Sequence, residues 1–375
     1  NTFNLPDSSI VDGSEHFVPV IYTGNGVARS IDNTITSSGG VETGDPIQFE
    51  PDFVWIKNRT LGDDHVLQDS VRGVGINSTL MSNTTNAEGS SYSTPYGYVS
   101  ALNTNGFSVA KGTDSTYGNR WVNENSSNYA AWNWKAGGTA VSNTDGTNTS
   151  AMVSANPTAG FSVVTYTGNG TSGATVGHGL SSAPKMMIVK NRDLGNPWLV
   201  YHQDVATDPA TDYLVLNTTA AKADNVVFWN DTAPTASVFS LGSSASINGN
   251  GNNLVAYCFA EVEGYSKIGS YTGNGSADGP FVYTGFRPAW ILVKCTTAAG
   301  QQWWVLDDKR NMYNLADLAL LLNDPSPELN NSTYFWADFL SNGFKLRSTG
   351  QSNTNAATYI FMAFAENPFK NSLAR

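Results

Sequence analysis

The stretch "GNGTSG", Gly168 to Gly173, fits the GxGxxG pattern, in which glycines let backbone approach a pyrophosphate and a following helix N-terminus receives its charge. Here "ATVGHGL" follows, without helical periodicity, and related stretches carry Arg29 and Asp278 in place of the third glycine. The match reads as a turn. His16, His65, His178 and His202 lack the HExxH, HxH or cysteine-rich spacing of a zinc site. No GxSxG elbow supports a serine hydrolase. Glycoside hydrolysis needs two carboxylates roughly 5 to 10 Å apart. Glu261 and Glu366 are candidates, but they occupy one repeated position, filled by Ala136 in an earlier copy. The acidic turns "GDD", Gly62 to Asp64, and "SADG", Ser276 to Gly279, lack calcium-loop spacing. The expectation is a non-enzyme with no catalytic residue, cofactor or metal ligand.

Aromatic side chains are the more informative class: 10 Trp, 16 Tyr and 17 Phe. Adjacent Trp303 and Trp304 must point to opposite faces of a strand, so one lies outside its own core unless a neighbouring unit covers it. These two are the candidate glycan or interface contacts, with the interface favoured. Cys258 and Cys295 are too few for a disulfide scaffold and are expected as two separate buried thiols.

The elements that position these residues repeat. "YTGNG" stands at Tyr22, Tyr166 and Tyr271. Each copy is followed by a proline, an apolar run and a lysine: "PDFVWIK" ending at Lys57, "PKMMIVK" at Lys190 and "PAWILVK" at Lys294. An aspartate comes 12, 14 and 13 residues later, at Asp69, Asp204 and Asp307. "GFSV" at Gly106, "VFSL" at Val238 and "GFKL" at Gly343 come next, and "AAWNWKA", "VAYCFAE" and "IFMAFAE" close the three units. A catalytic site is seldom built three times in one chain, whereas a folding constraint must be met in every copy. The lysines are therefore expected to end strands and reach water. Asp69 and Asp307 are expected to pair with Arg72 and Arg310, three residues on.

The units run 17–138, 161–265 and 266–368, with an N-terminal segment 1–16, a Gly, Ser, Thr and Asn-rich linker 139–160 and a tail 369–375. With the linker before it, the last pair is expected to be rigid and the first unit loosely attached. Short runs rich in Val, Thr and Tyr with Asn-Gly turns predict strands. Helical spacing occurs only in "NLADLALLLN", Asn314 to Asn323. The predicted fold is all-β: three tandem antiparallel β-sandwich, jelly-roll-like repeats, with at most a short helix in the third.

The net charge of -11 argues against nucleic acid, and no apolar run is long enough for a membrane helix. The chain starts at Asn1 without a charged and apolar leader, so an upstream segment or leader outside the given sequence is expected.

The combination of "YTGNG", "GFRP" at Gly285, "VWIKNR", "ILVK", "DSVRG" at Asp69 and "WNWKAGG" at Trp132 resembles repeat domains in virion proteins of marine tailed phages, such as cyanophages and pelagiphages. It covers nearly the whole chain, and the second unit departs from it with "GLSSAP" and "HQDVAT". The resemblance implies a non-enzymatic virion structural protein on the particle surface, extracellular, as a tail fibre or adhesion module or a capsid decoration protein. Its partners would be other virion proteins and host surface glycan, and fibres suggest a homo-oligomer, a trimer. The alternatives are a glycan-degrading, tailspike-like enzyme and a secreted bacterial adhesin or surface filament subunit.

Overall fold

The three lysine-ended segments each form the middle of an antiparallel sheet in a computed structural model that describes residues 10–32, 41–43, 47–89, 95–330 and 334–365. In the first unit Phe53–Asn58 lies between Val66–Asp69 and the closing strand Asn128–Trp134, and the opening strand Phe17–Thr23 pairs beyond it. The second unit forms the same order with Leu199–His202, Met186–Asn191, Asn253–Phe259 and Phe161–Thr167. The third does so with Trp303–Asp307, Pro288–Cys295, Thr358–Ala365 and Ser266–Thr272. Register makes residues comparable: Phe53, Met186 and Trp290 face Trp134, Phe259 and Phe364, so they are counterparts.

A smaller antiparallel sheet covers the outer face of each large one. It contains Arg29–Asp32 and Gly106–Ala110 in the first unit, Ala174–Gly177 and Val238–Leu241 in the second, and Phe281–Tyr283 and Gly343–Leu346 in the third. Each such sandwich closes over its own apolar cluster. The architecture is all-β and antiparallel, as the turn-rich, helix-poor sequence predicts.

The inner faces of the large sheets share one further core drawn from all three units. Trp134, Phe259 and Phe364, three counterparts, meet with ring centroids 6.3, 6.1 and 6.3 Å apart. Phe53 stacks on Tyr257 of the second unit at 4.2 Å. A strand covered on both faces has no reason to alternate. This accounts for runs such as "FVWIKN", "MMIVKN" and "PAWILVKC", buried at every position.

Several expectations need correction. The first unit is not loosely attached, because Phe17, Phe53, Trp55, Trp132 and Trp134 all enter the common core. Residues 139–160 are not a linker: Val141–Asn143 and Ala151–Asn156 extend the second unit's sheet beside its opening strand. Ala151–Asn156 is an inner strand between the opening strand and the three-residue edge Val141–Asn143, and the small and polar residues around them read as spacer by composition. Asn314 to Asn323 contains the strand Leu318–Leu321, not a helix, because pairing with Trp303–Asp307 buries Leu320 and Leu321 on opposite faces. The described helices of four residues, Val226–Trp229 and Ala245–Asn248, lie in the second unit. Glu366 and the tail 369–375 lie outside the described residues.

Candidate functional site

YTGNG is a docking turn. Tyr22, Tyr166 and Tyr271 each donate from their buried hydroxyl to a carbonyl, of Val122, Ile247 and Ser352, at 2.7, 2.8 and 2.7 Å. The backbone N–H of Asn25, Asn169 and Asn274 donates to the side-chain oxygen of a buried asparagine, Asn123, Asn248 and Asn353. The first glycine permits the approach: a Cβ on Gly24 would sit 2.0 Å from the Glu124 carbonyl oxygen. The second, Gly26, holds φ +73°, a left-handed conformation that glycine adopts without a Cβ clash. The motif is satisfied internally in all three copies, and the second copy is no nucleotide cradle.

The lysines do not reach water. Lys57, Lys190 and Lys294 are fully buried, and burial pushes each down to about 8. Lys57 Nζ donates to the Pro325 carbonyl of the third unit at 2.9 Å, and Lys190 Nζ to that of Thr85 in the first at 3.0 Å. Another unit covers the strand end at Lys57 and Lys190, while Lys294 Nζ donates to the Gln301 carbonyl of its own unit at 2.5 Å.

The aspartate landmarks act at the same seams, with one reassignment. Asp69 accepts from Arg72 at 2.5 Å and from the Tyr257 hydroxyl of the second unit at 2.8 Å. Arg72 also binds Glu88, which binds Arg192 of the second unit at 2.6 Å. The seam between third and first units repeats this ladder: Asp307 with Arg310 at 2.7 Å and with Trp132 Nε1 at 3.1 Å, then Glu328 with Arg310 at 3.2 Å and with Arg59 at 2.8 Å. Burial opposes ionisation of Asp307, yet Arg310 holds its carboxyl below the usual range.

The seam between the second and third units lacks the ladder entirely. Register places His202 opposite Met186, as Asp69 is opposite Phe53 and Asp307 opposite Trp290, so His202 is the true counterpart of the two aspartates and Asp204 is not. Three residues on stands Val205 in place of arginine. Lys222 N–H donates to the Thr296 carbonyl as Glu88 does to Arg192 and Glu328 to Arg59, which puts Lys222 in place of glutamate and Thr296 in place of arginine. All four ladder positions are changed. In its place lies a groove of about 460 Å³ lined by Asp204, Asp208, Asp212, Lys222, Thr296 and Thr358. It adjoins one of about 320 Å³ that Asp204 shares with Ser270, Phe281 and Tyr283. Asp212 is engaged by Lys222 at 2.6 Å, and burial raises the Asp204 carboxyl.

Other residues singled out by sequence are consumed structurally. Trp303 and Trp304 are both buried, on opposite faces: Trp303 in the common core, its Nε1 donating to Val215 of the second unit at 3.1 Å, and Trp304 in the third unit's sandwich. No member of the pair is exposed, because the second unit covers the one outside its own sandwich. His65 and His202 are fully buried against carbonyls of another unit, Leu321 and Phe361, while His16 and His178 bond to Asn156 and Thr235. Glu261 accepts from Lys267 and from the Ile268 N–H, bonds that lower its carboxyl against the effect of burial. Asp63 pairs with Arg120 and Asp278 with Lys345. Cys258 and Cys295 are free and buried. Among the described residues no group of three or more His, Cys, Asp or Glu is placed to hold a metal ion, and no helix is long and apolar enough to cross a membrane.

The class this defines is an all-β protein of antiparallel sandwiches fused around one core. The chain belongs to the family described as a domain of unknown function (DUF7483), which matches residues 12–368. No curated protein and no solved structure matches the chain.

Proposed function

We propose that this chain is a non-enzymatic structural and adhesive component on the exterior of a phage particle, a tail fibre or adhesion module or a capsid decoration protein. The observation that carries the non-catalytic part is the fate of the repeated polar residues. The YTGNG turns close each unit on itself, Lys57 and Lys190 donate to carbonyls of another unit, and the two Asp-Arg-Glu-Arg ladders join units through buried ion pairs. Catalytic groups need an accessible face; the lysines and the ladder aspartates Asp69 and Asp307 are buried and have none.

The virion part rests on the sequence resemblance, and the physics suits it. Ion ladders removed from solvent keep their strength in seawater, where exposed pairs are screened within a few ångströms. Partners are other virion proteins and host surface glycan, and homotrimerisation belongs to the fibre reading. Mass spectrometry and electron microscopy of purified particles test it. The expected result is the chain in the particle with density on its outer surface, and its absence from particles would remove the proposal.

Asp204 and Asp208 in one groove favour the glycan-degrading alternative over other rivals. Release of reducing ends from host envelope polysaccharide, abolished by Asp204→Asn, would establish it.

A further inference from the structure

Three departures from the internal repeat coincide on the seam between the second and third units. The ladder is gone, leaving the two adjoining grooves that share Asp204. The short strand Phe281–Tyr283 presents aromatic residues outward, Phe281 45% and Tyr283 63% exposed, with Val282 between them turned into the core. Register against Phe107, Phe239 and Phe344 makes Ser30 and Asp32, and Thr175 and Gly177, their counterparts, so the aromatics belong to this unit alone. Among the described residues the opening strand Ser266–Thr272 is a sheet edge, whereas its counterparts are flanked by Val41–Thr43 and Ala151–Asn156. On it Gly269 stands at the position of Val20 and Val164, its missing Cβ making room for the Phe361 ring at 2.9 Å, with Asp204 Oδ2 3.8 Å from the same point.

We infer that this seam is a binding site for neutral saccharide, with Phe281 and Tyr283 as stacking faces and Asp204 and Asp208 as acceptors for ring hydroxyls. A sugar needs an aromatic face for its C–H side and fixed polar groups for its hydroxyls, and the paired grooves offer both along one surface. The Phe281 ring is held: a Cβ on Gly343 would meet it at 2.9 Å, so the phenyl lies against bare backbone across the strand pair. Thr358 adds a hydroxyl that serves as donor or acceptor, while the buried Thr296 donates its own to the Thr358 carbonyl and Thr297 accepts from the Thr358 N–H. Charge selects the ligand class. Lys222 is engaged by Asp212, and Lys185 and Lys267 share Glu261 and both act on Asp204, so with the exposed Asp208 four carboxylates face three lysines and the remaining field is negative, which disfavours sulfated or uronic sugars.

The open edge also invites an added peptide strand, but Glu261 already takes the Ile268 N–H and Lys267 blunts the same edge. Saccharide is therefore the occupant the geometry favours. The inference deepens the adhesive reading by naming its ligand class and rests on that reading only for the source of the sugar.

Ligand-observed NMR titration of the full chain with maltotriose, mannotriose and galactotriose at seawater ionic strength tests it, with dextran sulfate as anionic control. The expected result is saturable binding of at least one neutral trisaccharide, weakened about tenfold or more by Tyr283→Ala and by Asp204→Asn. Tyr283→Ala should not lower the urea midpoint, since Tyr283 is mostly exposed, nor should Asp204→Asn, since burial already disfavours that carboxylate. No saturable binding in the neutral panel, binding indifferent to both variants, or a preference for dextran sulfate overturns it. Capture of an extended peptide with new amide protection on Ser266–Thr272, and no sugar binding, overturns it in favour of strand addition. The titration needs no particles, so the ligand and the virion location can fail separately.

Discussion

Trp303 donates from Nε1 to the carbonyl of Val215 at 3.1 Å, fastening the third unit's indole to the second unit's backbone. Trp198 does the same to Met81 of the first unit at 2.9 Å, and His65 Nε2 lies 2.9 Å from the Leu321 carbonyl of the third. Three head-to-tail contacts thus close into a ring, as heterologous interfaces do when the rotation between copies permits. Here the copies share one chain.

Trp303→Phe keeps most of the bulk and removes the donor, and it is expected to cost about 1–3 kcal/mol through the weakened carbonyl and the lost volume. Urea unfolding followed by tryptophan fluorescence and by circular dichroism should show one coincident transition in wild type and variant. A third unit that melted separately would contradict the common core.

The ladders predict an asymmetry between their ends. Arg72 is fully buried against Asp69, so Arg72→Met leaves buried carboxylates uncompensated and should destabilise by about 3–5 kcal/mol. Arg192, at the ladder's outer end, has its side chain 21% exposed, and Arg192→Met should cost about 1 kcal/mol or less. Raising NaCl from about 0.1 to 1 M should shrink the second effect and leave the first nearly unchanged.

The strands and their order were legible because each unit repeats its landmarks, and repetition also marked the polar residues as structural. What the sequence hid was the face each landmark serves. Lys57 sits at a strand end, which ordinarily means solvent, and only the approach of Pro325 from another unit turns it inward. The spacing between lysine and aspartate led to Asp204, while strand register selects His202, two residues earlier, so the missing ladder was invisible in the aligned letters. Thr139 to Gly160 reads as linker by composition because the outer strands Val141–Asn143 and Ala151–Asn156 are short and set among small and polar residues. The groove itself had one signal: Phe281 and Tyr283 at alternate positions, where the other units carry Ser30 and Asp32 or Thr175 and Gly177.

The two glycines of YTGNG should separate in cost. A Cβ on Gly26 meets nothing closer than Asn125 Cβ at 3.5 Å, so Gly26→Ala pays only for its φ of +73°, about 1 kcal/mol. On Gly24 the new methyl would overlap the Glu124 carbonyl oxygen at 2.0 Å, so Gly24→Ala must displace backbone and should cost about 2 kcal/mol or more. Asn123→Ala removes the acceptor of the Asn25 N–H and is expected to fall between them. Thermal and urea midpoints of the three variants give the order, and equal losses at both glycines would contradict close approach as the role of the first.

Acid should destabilise the fold before its carboxylates titrate. Burial pushes the imidazoles of His65 and His202 down to about 3 and about 4, with Lys57 and Lys185 acting in the same direction. His65 accepts from Trp55 Nε1 at its Nδ1 and faces the Leu321 carbonyl through Nε2, an arrangement that fits only the neutral ring with its proton on Nε2. Unfolded histidine titrates near 6.5. Between that value and the lowered ones the unfolded chain binds more protons, so stability falls as pH falls, by about 1.4 kcal/mol per pH unit for each residue. His16 and His178, lowered chiefly by burial, steepen the same slope. Urea midpoints between pH 6.5 and 4.5 should therefore decline with an uptake of at least two protons, and His202→Gln should reduce it by about one. A flat profile over that window would mean these rings are not held neutral, and the seams they occupy would be open to water.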